Sequence, residues 1–393
     1  MRTKILVSKD SIYFICLFLF VLIESLQKIY FFAQNEMVAV LSSIISLFVG
    51  ITLTVICLAG KYSARTFFLL IFIGSLLFIG YINSKMSAYL IGFLFLVSGT
   101  NVDIRSILKT IRYAISISII ISLFLYFIGL SDIGIARRGY NGWGFVHPNV
   151  AGQVFMLVIL LWIAEHYLTL NLFRINTILI IGELFIFLLT GSRTVLITMT
   201  ALVALLPLFR KIFVKNSDNL VVKISELINP ISLMLTFATA KFLYYVPFFQ
   251  RLDSLMVNRI FLNSFALEKF GIRLFGQNSD LKTEGTVYNS LRNVYWNAGI
   301  TVDSTYMTSL LTMGLIPTLI WTVAYVLMMK RVAKTKNYIF FTIALVLCFE
   351  SFMETGMLTI YNNFAFFFLT AEIINTSNKK EAELINEQNT KSN

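Results

Sequence analysis

The chain has 393 residues, of which 58% are hydrophobic and only 13% charged, with a mean hydropathy of +0.80 and a formal net charge of +12. That much apolar surface exceeds what one water-soluble core can hide, which excludes a soluble globular fold. The positive charge is gathered in short stretches between apolar runs, so topology and anionic lipid account for it and no nucleic-acid partner is expected.

Runs of about 20 apolar residues, enough to cross a hydrocarbon layer roughly 30 Å thick as helix, recur from end to end. They lack the alternation of barrel strands, so the expected fold is an all-α polytopic membrane protein. The expected spans are 11–30, 37–59, 66–83, 87–99, 111–130, 149–168, 174–190, 193–209, 228–247, 304–329, 338–353 and 357–375, about twelve transmembrane helices. Arg2, Lys4 and Lys9 before the first run mimic a secretory leader, but Ile29 to Phe32 offers no small-residue cleavage pattern, so it reads as an uncleaved helix. Pro207, Pro230 and Pro247 mark run ends. Cys16, Cys57 and Cys348 fall inside runs far apart and read as small hydrophobes.

An even number of spans puts both termini on one side. Lys61, Arg65, Arg105, Lys109, Arg112, Arg174, Arg210, Lys211, Lys330, Arg331 and Lys334 then fall in loops on the side of the termini, which the positive-inside rule makes cytoplasmic. The short loops opposite carry mainly Lys28, Lys85, Arg137, Arg138 and Arg193. One bundle over 1–375 includes a large extracytoplasmic loop, 248–303, between the ninth and tenth spans. In it Leu252, Leu255, Met256, Ile260, Phe261, Phe265 and Leu267 recur near a 3.6 period, predicting an amphipathic helix that lies on the bilayer or caps the bundle. Residues 376–393 are polar and charged, and read as a disordered cytoplasmic tail.

Three stretches interrupt the apolar pattern, all at the outer rim. "RRGYNGWGFVHPNVAG" (137–152) combines Arg137, Arg138 and His147 with a helix start at Pro148-Asn149, whose backbone N–H groups attract anions. Its plainer reading is an interfacial loop, with Tyr140 and Trp143 as aromatic anchors and the arginines reaching lipid phosphates. "TGSRTVLI" (190–197) puts Arg193 in a tight turn near hydrocarbon depth, where a guanidinium usually faces the bundle and binds something, phosphate oxygens being a good match. The alternative is a residue snorkelling to the membrane interface or an ion pair with Glu183 one to two turns inward. "VDSTYMTSLLTMGLIP" (302–317) brings Asp303 and Tyr306 to the start of a span, where a carboxylate acts either as general base or as an N-cap. Glu350 and Glu354 share a helical face and suit sugar hydroxyls or an arginine. Arg259 and Arg273 in the long loop enlarge the cationic inventory. No phosphate-binding glycine loop, HExxH, GxSxG or Asp-x-Asp pair occurs, which argues against ATP-driven transport, metalloproteolysis and nucleotide-sugar transfer.

"GFVHPNVAG", "TGSRTVLI", "NRIFLNSFALEKFGIRLFGQ" and "DSTYMTSLLTMGLI", in this order and topology, resemble the O-antigen and capsular polysaccharide polymerases (the Wzy family), which share an architecture with the O-antigen ligases. The resemblance covers most of the chain. It implies a glycosyltransferase in the bacterial cytoplasmic membrane that joins undecaprenyl-pyrophosphate-linked oligosaccharide repeat units on the outer face, with a flippase and a chain-length regulator as partners. By similarity Arg193 matches an arginine that engages pyrophosphate, and Asp303 stands where the ligases carry a catalytic histidine, a departure that leaves His147 as the competing base. Arg137, Arg138, Arg259, Arg273, Asn149, Tyr306, Glu350 and Glu354 are the expected substrate-binding residues; no metal or cofactor is expected. The other readings are an O-antigen-type ligase and a lipid-linked oligosaccharide flippase or transporter.

Overall fold

The structure, a computed structural model, describes residues 8–131, 140–215, 219–256, 258–278, 287–289, 294–296 and 302–373. Arg137, Arg138 and the tail 376–393 lie outside the described residues. Helix α1 (Lys9–Leu26) is followed by a single turn, α2 (Tyr30–Ala33), then α3 (Glu36–Leu58), α4 (Ala64–Ser84), α5 (Ala88–Ser98) and α6 (Ile104–Phe127). Side-chain oxygens of Ser8, Asn35, Ser63 and Asp103 accept first-turn N–H groups of α1, α3, α4 and α6, fixing where these helices start. Next come α7 (Pro148–Glu165), α8 (Leu172–Thr190), α9 (Arg193–Lys215), and α10 (Leu220–Glu226) with α11 (Ile228–Lys241), which meet at 57°. The long loop forms α12 (Pro247–Leu255), α13 (Arg259–Phe270) and an antiparallel pair, β1 (Val287–Asn289) with β2 (Val294–Trp296). A short α14 (Thr305–Thr308), α15 (Leu315–Lys334) and α16 (Tyr338–Met353) complete the bundle.

Among the described residues seven helices are long and apolar enough to cross a membrane, α3, α4, α6, α7, α8, α9 and α15, and the bent pair α10–α11 is an eighth if it counts as one span. The protein is therefore a helical bundle embedded in a membrane. Ile44, Phe48, Phe68, Phe72, Leu184 and Leu188 point outward from it, the exterior that lipid requires. Helices α5 and α16 are apolar but shorter, and α1 includes Lys9, Asp10 and Glu24 among its 18 residues.

Two expected spans take a different form. The run 304–329 is broken: α14 passes into a π turn, Ser309–Met313, and α15 restarts after Gly314. Gly314 has φ 92°, ψ 171°, and the loop after α13 crosses it there, with Gly276 (φ 79°) against the carbonyls of Thr312 and Met313. The carbonyls of Arg273 and Leu274 accept the first free N–H groups of α15, from Leu315 and Ile316, at 2.9 Å each. The loop thus supplies the partners that the break removed.

Over its described part, residues 357–373, the last expected run is not an α-helix. It descends through the bundle with two 3-10 turns, Gly356–Leu358 and Phe364–Leu369, until Glu372 bridges to Asp103 at the opposite end. Non-helical backbone survives at that depth only when protein supplies its hydrogen-bond partners. Here Arg331 donates to the carbonyls of Leu369 (through Nη1) and Ala371 (2.7 Å), and Asn101 N–H donates to Thr370 O (3.1 Å). Aromatic packing holds the rest: Phe368 stacks on Phe340 with centroids 4.1 Å apart, and Phe366 meets Trp321 and Tyr325 edge-on.

The amphipathic stretch 252–267 is also divided. Asn258 adopts the left-handed conformation (φ 65°), and buried Asp253 accepts Phe261 N–H at 2.9 Å across the bend. Ile260, Phe261, Leu262 and Ala266 of α13 form a small core with Ala240, Leu243, Val302, Met307 and Leu311. Through this core α13 packs against α11, α14 and the π turn that follows it.

Candidate functional site

The three polar stretches meet at one end of the bundle. The loop before α7 is pinned by a bridge between Ile29 and Phe145, with Val146 N–H donating to Lys28 O at 2.9 Å and Tyr30 N–H to Gly144 O at 2.8 Å. Trp143 is half-buried, and its Nε1 donates to Leu189 O at 3.1 Å. Tyr140 packs over Gly191, and Gly152 lets α7 approach Ser192 so closely that a Cβ there would sit 2.8 Å from the serine Cβ. The His147 loop and the Arg193 turn are therefore in direct contact.

His147 caps α7, its Nδ1 accepting Asn149 N–H at 3.1 Å. In the neutral ring that leaves the proton on Nε2. Partial desolvation lowers its pKa below the ordinary imidazole value, and nearby Asp303 partly restores it. A neutral imidazole with Nδ1 engaged is a hydrogen-bond donor at Nε2 and a poor base.

Arg259, the first residue of α13, is the hub. Its Nε lies 3.6 Å from Asp303 Oδ2, its Nη2 3.4 Å from Glu354 Oε1, and Nη1 donates to Met353 O. Glu354 ends α16, and its Oε1 also accepts the Thr194 hydroxyl at 2.7 Å. Thr305 clamps the Glu354 carbonyl through its N–H (3.2 Å) and Oγ1 (2.5 Å). One guanidinium, two carboxylates and two hydroxyls thus join α9, α13, α14 and α16. Burial raises the pKa of Asp303, against the pull of Arg259 and then His147. The Asp303 side chain is the more open, 32% exposed against 13% for Glu354, so it is the carboxylate a ligand can reach.

Arg193 opens α9 directly beside Thr194, is exposed, and makes no ion pair among the described residues. Glu183, its alternative partner, instead accepts the Thr200 hydroxyl at 2.5 Å. Asn149 follows His147 in the first turn of α7.

Three expected substrate contacts stand elsewhere. Tyr306 is buried, its hydroxyl donating to Cys348 O at 3.1 Å, so it packs the wall behind the site. Glu350 is fully buried one turn below Glu354, where Gln153 and Lys28 are its polar neighbours. Arg273 is exposed beyond the Gly314 break, lining a separate pocket of about 430 Å³ with Asn83 and Gln277. Sequence reasoning missed Thr194 and Thr305, since a hydroxyl in an apolar helix gives no local signal of a partner 160 or 49 residues away.

A cavity of about 920 Å³ lies between α3 and α4 against α5, apart from the Arg259 cluster. Its walls are mostly aliphatic and aromatic, with small hydroxyls such as Ser42, Ser46 and Thr54, and it offers no comparable concentration of charge. No group of three or more His, Cys, Asp or Glu side chains arranged to hold a metal occurs among the described residues.

No protein-family model, curated protein or solved structure matches this chain.

Proposed function

We propose that this protein is a polysaccharide polymerase that joins undecaprenyl-pyrophosphate-linked oligosaccharide repeat units on the outer face of the bacterial cytoplasmic membrane. The observation that carries the reading is the Arg259 guanidinium between Asp303 and Glu354, at the same rim as His147 and the unpaired Arg193. Breaking an anomeric bond to pyrophosphate builds negative charge on the leaving group, and a fixed guanidinium in a water-poor site stabilises it. In this reading Arg193 holds the pyrophosphate and Asp303 takes the proton of the attacking sugar hydroxyl. Arg259 holds the two carboxylates apart, and His147 donates from Nε2. The site end is then extracytoplasmic, the chain passes the membrane about twelve times with 354–372 as an unwound pass, and both termini are cytoplasmic.

A flippase or transporter is favoured by one feature, the helix broken at Gly314, because half-helix N-termini bind anions in transporters. Against it, the N-terminus of α15 is already filled by the carbonyls of Arg273 and Leu274. Purified protein in vesicles, given a lipid-linked repeat unit, distinguishes the readings. Elongation to a ladder supports the polymerase; translocation without elongation marks the flippase; transfer of a finished glycan to a different acceptor without a ladder marks the ligase.

A further inference from the structure

Behind the Thr305–Glu354 clamp the bundle encloses a cavity of about 30 Å³, among the π turn, α11, α15, α16 and the unwound segment. Its walls are polar for such depth: Asn229, Thr305, Ser351 and Asn363 line it together with Trp321 and Met357. Two of these side chains carry unpaired polar atoms. Trp321 Nε1 has no acceptor and Asn363 Oδ1 no donor among the described residues, although the two residues are only 7% and 4% exposed. An unsatisfied buried polar group costs about 1–3 kcal/mol.

We propose that this cavity is a binding site for ordered water, bridging Trp321 to Asn363. The space suits it, since one water needs about 10–15 Å³ measured this way, so one or two molecules fit. The chemistry is equally selective. The unpaired N–H donor of a lining tryptophan disfavours a cation, while the amide oxygen and the lack of any lining Lys or Arg disfavour an anion. A small molecule that both donates and accepts satisfies both atoms. The bridge would fasten the unwound segment to α15 and stiffen the wall from which Thr305 holds Glu354. This inference is independent of the transferase reading.

Hydroxyl-radical footprinting of the full-length protein in nanodiscs tests it, because radiolysis generates radicals from water where the water sits. Met357 is 2% exposed and lines the cavity, while Met328 and Met329, both 0% exposed and in the main hydrophobic core, serve as controls. Met357 should oxidise about threefold faster than the controls or more, as expected beside an ordered internal water. Asn363→Leu, which fills the space, should bring it down to their rate, and Trp321→Phe, a gentler change, should lower it too. Wild-type Met357 oxidising no faster than Met328 and Met329 overturns the site. Fast oxidation that persists in whichever of the two variants folds overturns the bridge.

Discussion

Thr194 Oγ1 donates a 2.7 Å hydrogen bond to Glu354 Oε1, joining the first turn of α9 to the end of α16 across 160 residues of sequence. The next residue back along the chain is Arg193, so this bond also sets where the unpaired guanidinium stands. Thr194→Val should therefore lower stability by about 1.5–3 kcal/mol, the usual loss for a hydrogen bond to a charged acceptor, and Thr194→Ser should restore most of it. Thermal unfolding in detergent measures the difference, and an unchanged midpoint in the valine variant would contradict the tie.

Arg193→Ala should leave folding intact, because the side chain is exposed and unpaired. If it holds pyrophosphate, the variant should lose about 2–4 kcal/mol of transition-state stabilisation, roughly 30- to 900-fold in turnover. Polymer ladders from reconstituted protein provide the measurement, and full-length ladders at the normal rate would remove Arg193 from the mechanism.

Asp303 acts as a base only when ionised, and burial raises its pKa above the ordinary carboxylate value. Turnover should accordingly rise with pH along an acid limb lying above that value. Asp303→Asn should abolish the limb and cost about a hundredfold or more in rate, the usual scale of general-base catalysis, while Asp303→Glu keeps a limb. Removing the Arg259 charge, which holds the pKa down, should move the limb upward in any variant that folds.

For His147 the shift runs the other way. A pKa lowered on folding means that the unfolded chain takes up the proton first. The stabilising contribution is complete above the ordinary imidazole pKa and is lost as pH falls through that value toward the folded one. His147→Asn keeps a good helix cap, so it should preserve stability and flatten this acid-side loss, whereas His147→Ala should cost about 1 kcal/mol at neutral pH. Unfolding midpoints of the three proteins across pH 5 to 8 test the sign.

Gly314→Ala should cost about 3 kcal/mol or more, since the residue is left-handed and its Cβ would strike the backbone of Phe275 and Gly276. Gly129→Ala is the informative comparison, with φ 76° but open space around it, so only the conformational penalty of about 1 kcal/mol applies. Folded yield and thermal midpoint report both.

What the sequence made legible was local. The run 338–353 coincides with α16, and the Pro148 start signal marks the first turn of α7 because proline satisfies the helix where no donor is needed. The run 357–375 misled because apolarity alone does not distinguish helix from unwound chain. Its conformation is set by Arg331, Asn101 and Phe340, residues distant in sequence that supply donors and stacking surfaces. Asp303, Glu354 and Arg259 each carry a local signal of charge at a span boundary, but their meeting depends on the bend at Asn258 and the descent of α16, which no short window reveals.

The unwound segment 354–371 has a consequence for biogenesis. A helix satisfies its own backbone and can leave the translocon alone, but residues 354–371 depend on α15 and the turn before α6 for their partners. This segment therefore has no stable lodging in lipid until those earlier helices have assembled around a slot for it. Its insertion should come last, as a threading step, and amino-acid changes that loosen the slot would strand it at the membrane surface for quality control to find.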